Sequence, residues 1–185
     1  MSRLATSLDT EGGVRFLWWL IGASIIVGFI VFVAVGANGP KDPALAPRQG
    51  VPGFGTIAFT IEHGAVTDDF CALLAADDTQ RQTGMMGRRD FGGYDAMVFA
   101  FPTAIDPKQV YFYNRRVPIA LSVAWFDGQG QFVSTNDLEP CADIGSCPTI
   151  RATKPFKFAL EVAKGGLGRL GVGPGSALRV GHSGC

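Results

Sequence analysis

Net charge is what this sequence lacks first: 16 Lys and Arg side chains stand against 16 Asp and Glu, so the 185-residue chain is formally neutral. A field strong enough to gather nucleic acid is therefore not expected, and no nucleic-acid partner is assigned. Histidine is scarce, with only His63 and His182, and neither lies near a cysteine pair in sequence. A zinc site needs about four ligands at close spacing, which Cys141-x5-Cys147 does not provide, so no metal and no cofactor are expected. The same spacing argues against a Cys-x-x-Cys dithiol. Four cysteines are too few for a disulfide scaffold, yet Cys141 and Cys147 suit one local bridge in an oxidising compartment. The sequence leaves open whether Cys71 and Cys185 pair or stay free.

Catalytic parts are missing as well. No carboxylates sit paired to divide acid and base roles, and Ser122 in Ala-Leu-Ser-Val-Ala lacks the glycines of a nucleophile elbow. Asp127, followed by Gly128, reads as a hairpin-turn residue, and Glu161 as a solvated charge on the polar face of its strand. No catalytic residue is assigned.

What is present begins with a long apolar run. After a short tail, 1–15, residues 16–37 (FLWWLIGASIIVGFIVFVAVGA) carry no charge. As a helix they would reach roughly 33 Å, enough for a hydrocarbon core of about 30 Å, so one N-terminal transmembrane helix is expected, with the lipid bilayer as partner. A cleaved signal peptide ending near Val35-Gly36-Ala37 is the alternative, although its apolar region usually spans about 7 to 15 residues. The short tail, Arg15 abutting the span and the downstream cysteine pair favour a single-pass protein in the cell membrane with its C-terminal domain extracytoplasmic. Residues 38–55 hold Pro40, Pro43, Pro47 and Pro52 with scattered glycines, the composition of a semi-extended linker.

From Thr56 the pattern turns to alternation. Ile57, Phe59 and Ile61 share one side, His63-Gly64 marks a turn, and a second extended run follows near 66–75. Asp77 with Gln80 three residues on predicts a helix N-cap, stopped early by Gly84 and Gly87. Met97, Phe99 and Phe101 alternate until Pro102. Ile119, Leu121, Val123 and Trp125 then form one face of a strand, with Asp127-Gly128-Gln129-Gly130 turning it into a hairpin that buries one face. Phe156 to Val162 reads as a further strand, and 177–180 as the last. Residues 56–185 are thus expected to form one all-β domain, an antiparallel β-sandwich or barrel-like fold with one or two short helices.

Four of these segments together resemble the domain of unknown function 192 family. Arg81-Gln82-Thr83-Gly84-Met85-Met86-Gly87-Arg88 is similar to its Arg-x-x-Gly-Leu-Met-x-Arg motif, and Asp95 to Pro102 to its Gly-Met-Leu-Phe-x-Phe-Pro strand. Phe112 to Asp127 follows its Phe-Trp-Met-Lys-Asn-Thr-x-Ile-Pro-Leu-Asp…Asp segment. Phe156 to Val162 with Gly171 to Gly175 resembles its closing Tyr-x-Leu-Glu-Val and Gly-x-x-x-Gly stretch. The resemblance implies an all-β domain with a short helix, commonly exported or anchored, and no established activity. The chain departs from it at Asn114, where the motif has Met, at Arg116 (Asn), at Ala120 (Pro) and at Ser122 (Asp).

The remaining polar features are arginines in loops or at element ends. Arg81, Arg88 and Arg116, with Tyr113 among nearby aromatics, are the candidate ligand-binding residues, since forked guanidinium donors suit a carboxylate or phosphate group. The bland alternative is that each pairs with a neighbour such as Asp90 or faces water. Two functional classes follow: a binding or accessory module for a small anionic ligand or an envelope protein, and a hydrolytic or transfer enzyme whose site the sequence hides.

Overall fold

The alternation that begins at Thr56 becomes an antiparallel hairpin, with β1 (Gly55–His63) paired to β2 (Val66–Ala75) across a turn that Gly64 enters at φ 64°. The computed structural model describes residues 47–142 and 145–185. The tail 1–15, the apolar run 16–37 and residues 38–46 of the linker lie outside them, and among the described residues no helix is long and apolar enough to cross a membrane. Residues 49–54, the end of the Pro- and Gly-rich stretch, pack on the domain: Val51 is buried and Gln49 donates its amide to the Gly92 carbonyl.

After β2 come α1 (Asp78–Thr83), β3 (Ala96–Ile105), β4 (Phe112–Tyr113), β5 (Leu121–Phe126), β6 (Phe132–Leu138), β7 (Thr149–Ile150), β8 (Phe156–Ala163), a 3₁₀ turn (Gly168–Leu170) and β9 (Ser176–Ser183). Seven strands form one sheet in the order β6-β5-β8-β3-β2-β1-β9, while β4 and β7 make a separate two-stranded ladder. The fold is mostly β, but it is neither a sandwich of two large sheets nor a closed barrel. Nor is it wholly antiparallel, because β2 and β3 run parallel, Leu73 opposite Met97. The connection through α1 is long enough to return the chain to the same end, which a tight hairpin turn cannot do.

The two edges of the sheet approach each other at one corner. Asp127 accepts amide hydrogens from Gln129 and Gln131 at 2.9 and 2.8 Å, shaping the β5–β6 turn as its Asp-Gly signal predicts. Beyond it Gln131 bridges Ala177 of β9, and the Leu178 amide donates to the Gly130 carbonyl at 2.7 Å. Gly130 has φ 78°, and a Cβ there would fall 2.1 Å from the Leu178 carbonyl oxygen, so the corner admits glycine alone.

Both faces of the sheet are covered, which the alternation of β5 and β8 does not reveal. Ile57, Phe59, Ile61, Val98, Phe126, Leu160 and Leu178 form one apolar cluster, closed by Leu167 and Leu170 around the 3₁₀ turn. Leu73, Met97, Phe99, Val123, Trp125, Phe156 and Ala159 form the other, beneath Met85, Phe112 and Val117. In this second cluster Phe112 meets Trp125 edge-on at 5.6 Å and Phe101 meets Phe156 at 5.4 Å, pairs that add about 0.5–1.5 kcal/mol each beyond their buried area. β5 is therefore buried along its whole length, not on one face only.

The Cys141–Cys147 bridge forms, and Cys71 pairs with Cys185 across 114 residues of sequence. The second bridge ties the segment after β9 to β2, where Gly184 also donates its amide to the Thr56 carbonyl at 2.9 Å.

Candidate functional site

Helix α1 is short and positioned by its caps. Asp77 accepts the Gln80 amide at 2.8 Å and Gln80 reaches back to the Asp77 amide at 3.2 Å, a reciprocal box satisfying two otherwise unpaired donors. Gln80 also donates to the Gly53 carbonyl at 2.8 Å, fastening the helix to the entering chain. Gly84 ends the helix at φ 45°, and the following turn places Met85 in the core.

This arrangement sets Arg81 over the Phe101 ring at 4.9 Å. Its guanidinium donates to the Ala76 carbonyl, to the Ala100 carbonyl at 2.8 Å and to the Asp78 carboxylate. A guanidinium has five N–H groups, so these acceptors leave two for a further partner.

Between α1 with its following turn and the segment 110–114 lies a cavity of about 230 Å³. Its walls are mostly apolar, with Met85, Met86, Phe101, Val110, Phe112, Val117 and Leu121, and its polar contributions include Arg81, Thr83, Tyr113 and Asn114. Tyr111, 50% exposed, and Tyr113 stand at its mouth with rings 5.9 Å apart, and Arg151 lies 5.2 Å from the Tyr111 ring.

Asn114 is 1% exposed. Its amide nitrogen donates to the Ile119 carbonyl at 2.8 Å and to the Leu138 carbonyl at 3.3 Å, tying the loop before β5 to the end of β6. Its Oδ1 has no hydrogen-bond partner among the described residues. An unmet buried acceptor costs about 1–3 kcal/mol, so tying the loop does not by itself account for this side chain.

With this geometry in view, the sequence profile of the domain of unknown function 192 family, described as "Uncharacterized ACR", matches residues 59–180. The chain belongs to that family. No curated protein matches the chain. Among solved structures it is similar to a protein of Sinorhizobium meliloti 1021, described provisionally as a transcription regulator. That likeness has 23% identity and a TM-score of 0.61, and covers 71% of this chain and 98% of the other. It is also similar to a protein of unknown function from Novosphingobium aromaticivorans DSM 12444, at 21% identity and a TM-score of 0.60, over 74% of this chain and 94% of the other. Likeness at this level of identity concerns the fold.

Within the family's first motif the two arginines part ways. Arg81 lines the cavity with Tyr113, whereas Arg88 and Arg116 are not among its walls. Arg88 lies 3.9 Å from Asp90. Arg116 holds φ 57°, a left-handed conformation that Asn, its counterpart in the family motif, adopts more readily, and its carbonyl accepts the Gly87 amide at 2.9 Å. Of the four candidate residues, Arg81 and Tyr113 therefore share this cavity, and Arg88 and Arg116 lie outside its walls.

Glu161 corrects the sequence reading. It stands at the Glu of the family's closing motif, and instead of facing water it is 4% exposed, between Met97 of β3 and Val123 of β5 in the register. Burial alone, without a charge partner, pushes its carboxyl up to about 8. The polar positions of β8 read as solvated because alternation reveals one apolar face and is silent about whether the other is covered.

The remaining polar residues are structural in their contacts. Ser122 is buried and donates to Asp137 at 2.6 Å while accepting the Gly165 amide at 3.1 Å. His63 Nδ1 lies 3.1 Å from the Gly171 carbonyl oxygen. Among the described residues no three His, Cys, Asp or Glu side chains are grouped to hold a metal. A second cavity of about 490 Å³ lies against β1, β2 and β9, with Arg48, Asp69, Arg179 and His182 at its rim. There Arg48 is 3.7 Å from Asp95 and Arg179 is 3.0 Å from Glu62, so both guanidinium groups face carboxylates, as Arg81 does with Asp78. The cavity under α1 is the better candidate, since apolar walls there surround a few converging polar groups.

Proposed function

We propose that this protein is a membrane-tethered binding module whose domain, outside the cytoplasm, takes a small anionic ligand with a compact apolar body in the cavity under α1. The observation that carries the reading is the cavity itself, with Arg81 among its walls and two of its five donors not used by Ala76, Ala100 or Asp78. At about 230 Å³ the space falls below the roughly 300–1,000 Å³ of drug-sized sites, which favours a ligand of a single ring or short chain. Two disulfides suit an oxidising compartment, and the uncharged run 16–37 supplies a bilayer partner.

Calorimetric titration of the purified full chain with cyclohexanecarboxylate and hexanoate tests the site. Saturable binding is expected, with a rise in Tm by mass action. Arg81→Ala should weaken it at least tenfold. Because Arg81 also braces α1, Met86→Trp provides a second variant that fills the cavity without removing a core side chain. Unchanged affinity in both variants, or no binding of either acid, would overturn the proposal. Tethering has its own test: protease added to intact spheroplasts should digest the domain, and complete protection would place it on the other side of the membrane.

The enzyme reading has one observation in its favour, the raised carboxyl of Glu161. A general acid or base must reach the group it serves, however, and Glu161 lines neither the cavity under α1 nor the one against β1, β2 and β9.

A further inference from the structure

The unmet acceptor of Asn114 narrows the ligand further. Exchanging its amide oxygen and nitrogen would turn an acceptor toward the Ile119 and Leu138 carbonyls, so the hydrogen bonds fix the assignment and leave Oδ1 as the atom without a partner. Asn114 lines the same cavity as Arg81. The cavity thus brings together a donor-rich cation and a residue with a buried unmet acceptor, on walls that also carry Asp78, Gln82, Thr83, Tyr111 and Tyr113. At this position the family motif has Met, which supplies no comparable acceptor.

We infer that Asn114 is a specificity-determining residue, and that the ligand is a small hydroxy or amino acid whose anionic group meets Arg81 while its O–H or N–H donates to Asn114 Oδ1. This rests on the binding reading above and adds to it the requirement for a donor. A site that holds a buried polar group for its ligand discriminates against an analogue lacking the matching group, because that analogue leaves the polar group unpaired.

The test is a titration of the full chain with cyclohexanecarboxylate, its 2-, 3- and 4-hydroxy derivatives, and the methyl ether of whichever derivative binds best. One hydroxy isomer should bind at least tenfold tighter than the parent acid, and its methyl ether, which accepts but cannot donate, should lose that gain. Asn114→Met should abolish the preference. The ether comparison needs no variant, so it remains decisive if Asn114→Met folds poorly. If the parent acid binds and every hydroxy isomer binds equally or more weakly, the inference fails and the binding reading stands. A tenfold preference that survives in folded Asn114→Met also overturns it. If none of these acids binds, the binding reading fails and takes the inference with it.

Discussion

Carried from pH 4.5 to pH 8, the protein should lose about 4 kcal/mol of folding stability through Glu161, whose carboxyl is raised from 4.5 to about 8 by burial. The direction follows from proton counting. Across that window the unfolded chain has released the Glu161 proton while the folded chain still holds it, so rising pH favours unfolding. Below the window both states are protonated, above it both are ionised, and the contribution is flat. Glu161→Gln keeps the shape and removes the ionisation. The stability difference between the variant and the parent, from urea unfolding at pH 4.5, 6, 7 and 8.5, should therefore grow with pH in favour of the variant. Taking the difference cancels the other titrating groups, which the two chains share. A difference that stays flat across those four points would mean that the carboxyl reaches water or a compensating cation. The register neighbours on its face, Met97 and Val123, can supply neither a charge nor a hydrogen-bond donor to the carboxylate from their side chains.

Opening the Cys71–Cys185 bridge should be at least as costly. A cross-link between residues 114 apart removes loop-closure entropy from the unfolded chain worth about 4–5 kcal/mol, against about 2–2.5 kcal/mol for the short Cys141–Cys147 loop. Cys185→Ser should accordingly lower the urea midpoint more than Cys147→Ser does. Amide exchange in Cys185→Ser should also quicken along β9, especially near Gly184, whose amide donates to the Thr56 carbonyl. Equal midpoints for the two variants would show that the strand pairing of β9 with β1 already supplies the constraint.

The elements that could be read from the sequence are those specified locally. Asp77 and Gln80 announced the cap of α1 because a capping box is a three-residue pattern, and it forms as expected. Cys141 and Cys147 paired as their proximity suggested. The Cys71–Cys185 bridge could not be deduced, since it depends on β9 folding back beside β1 from the far end of the chain. The parallel pairing of β2 with β3 was hidden for the same reason: strand direction is a property of the whole path, and alternation does not encode it. At the candidate site, Arg81 and Tyr113 were named from residue type and do line the cavity, but the role of Asn114 was not visible. Its signal lies in which atoms stay unpaired after folding, a quantity no spacing carries.

The placement of β9 next to β1 also fixes when the domain can be completed during its manufacture. A ribosome adding about 5–20 residues per second delivers the residues of β9 roughly 6 to 25 s after those of β1, and throughout that interval the outer backbone edge of β1 has no strand to pair with. The final sheet therefore cannot assemble on a partly made chain. The Cys71–Cys185 cross-link is subject to the same delay, because Cys185 follows β9 in the chain while Cys71 lies in β2.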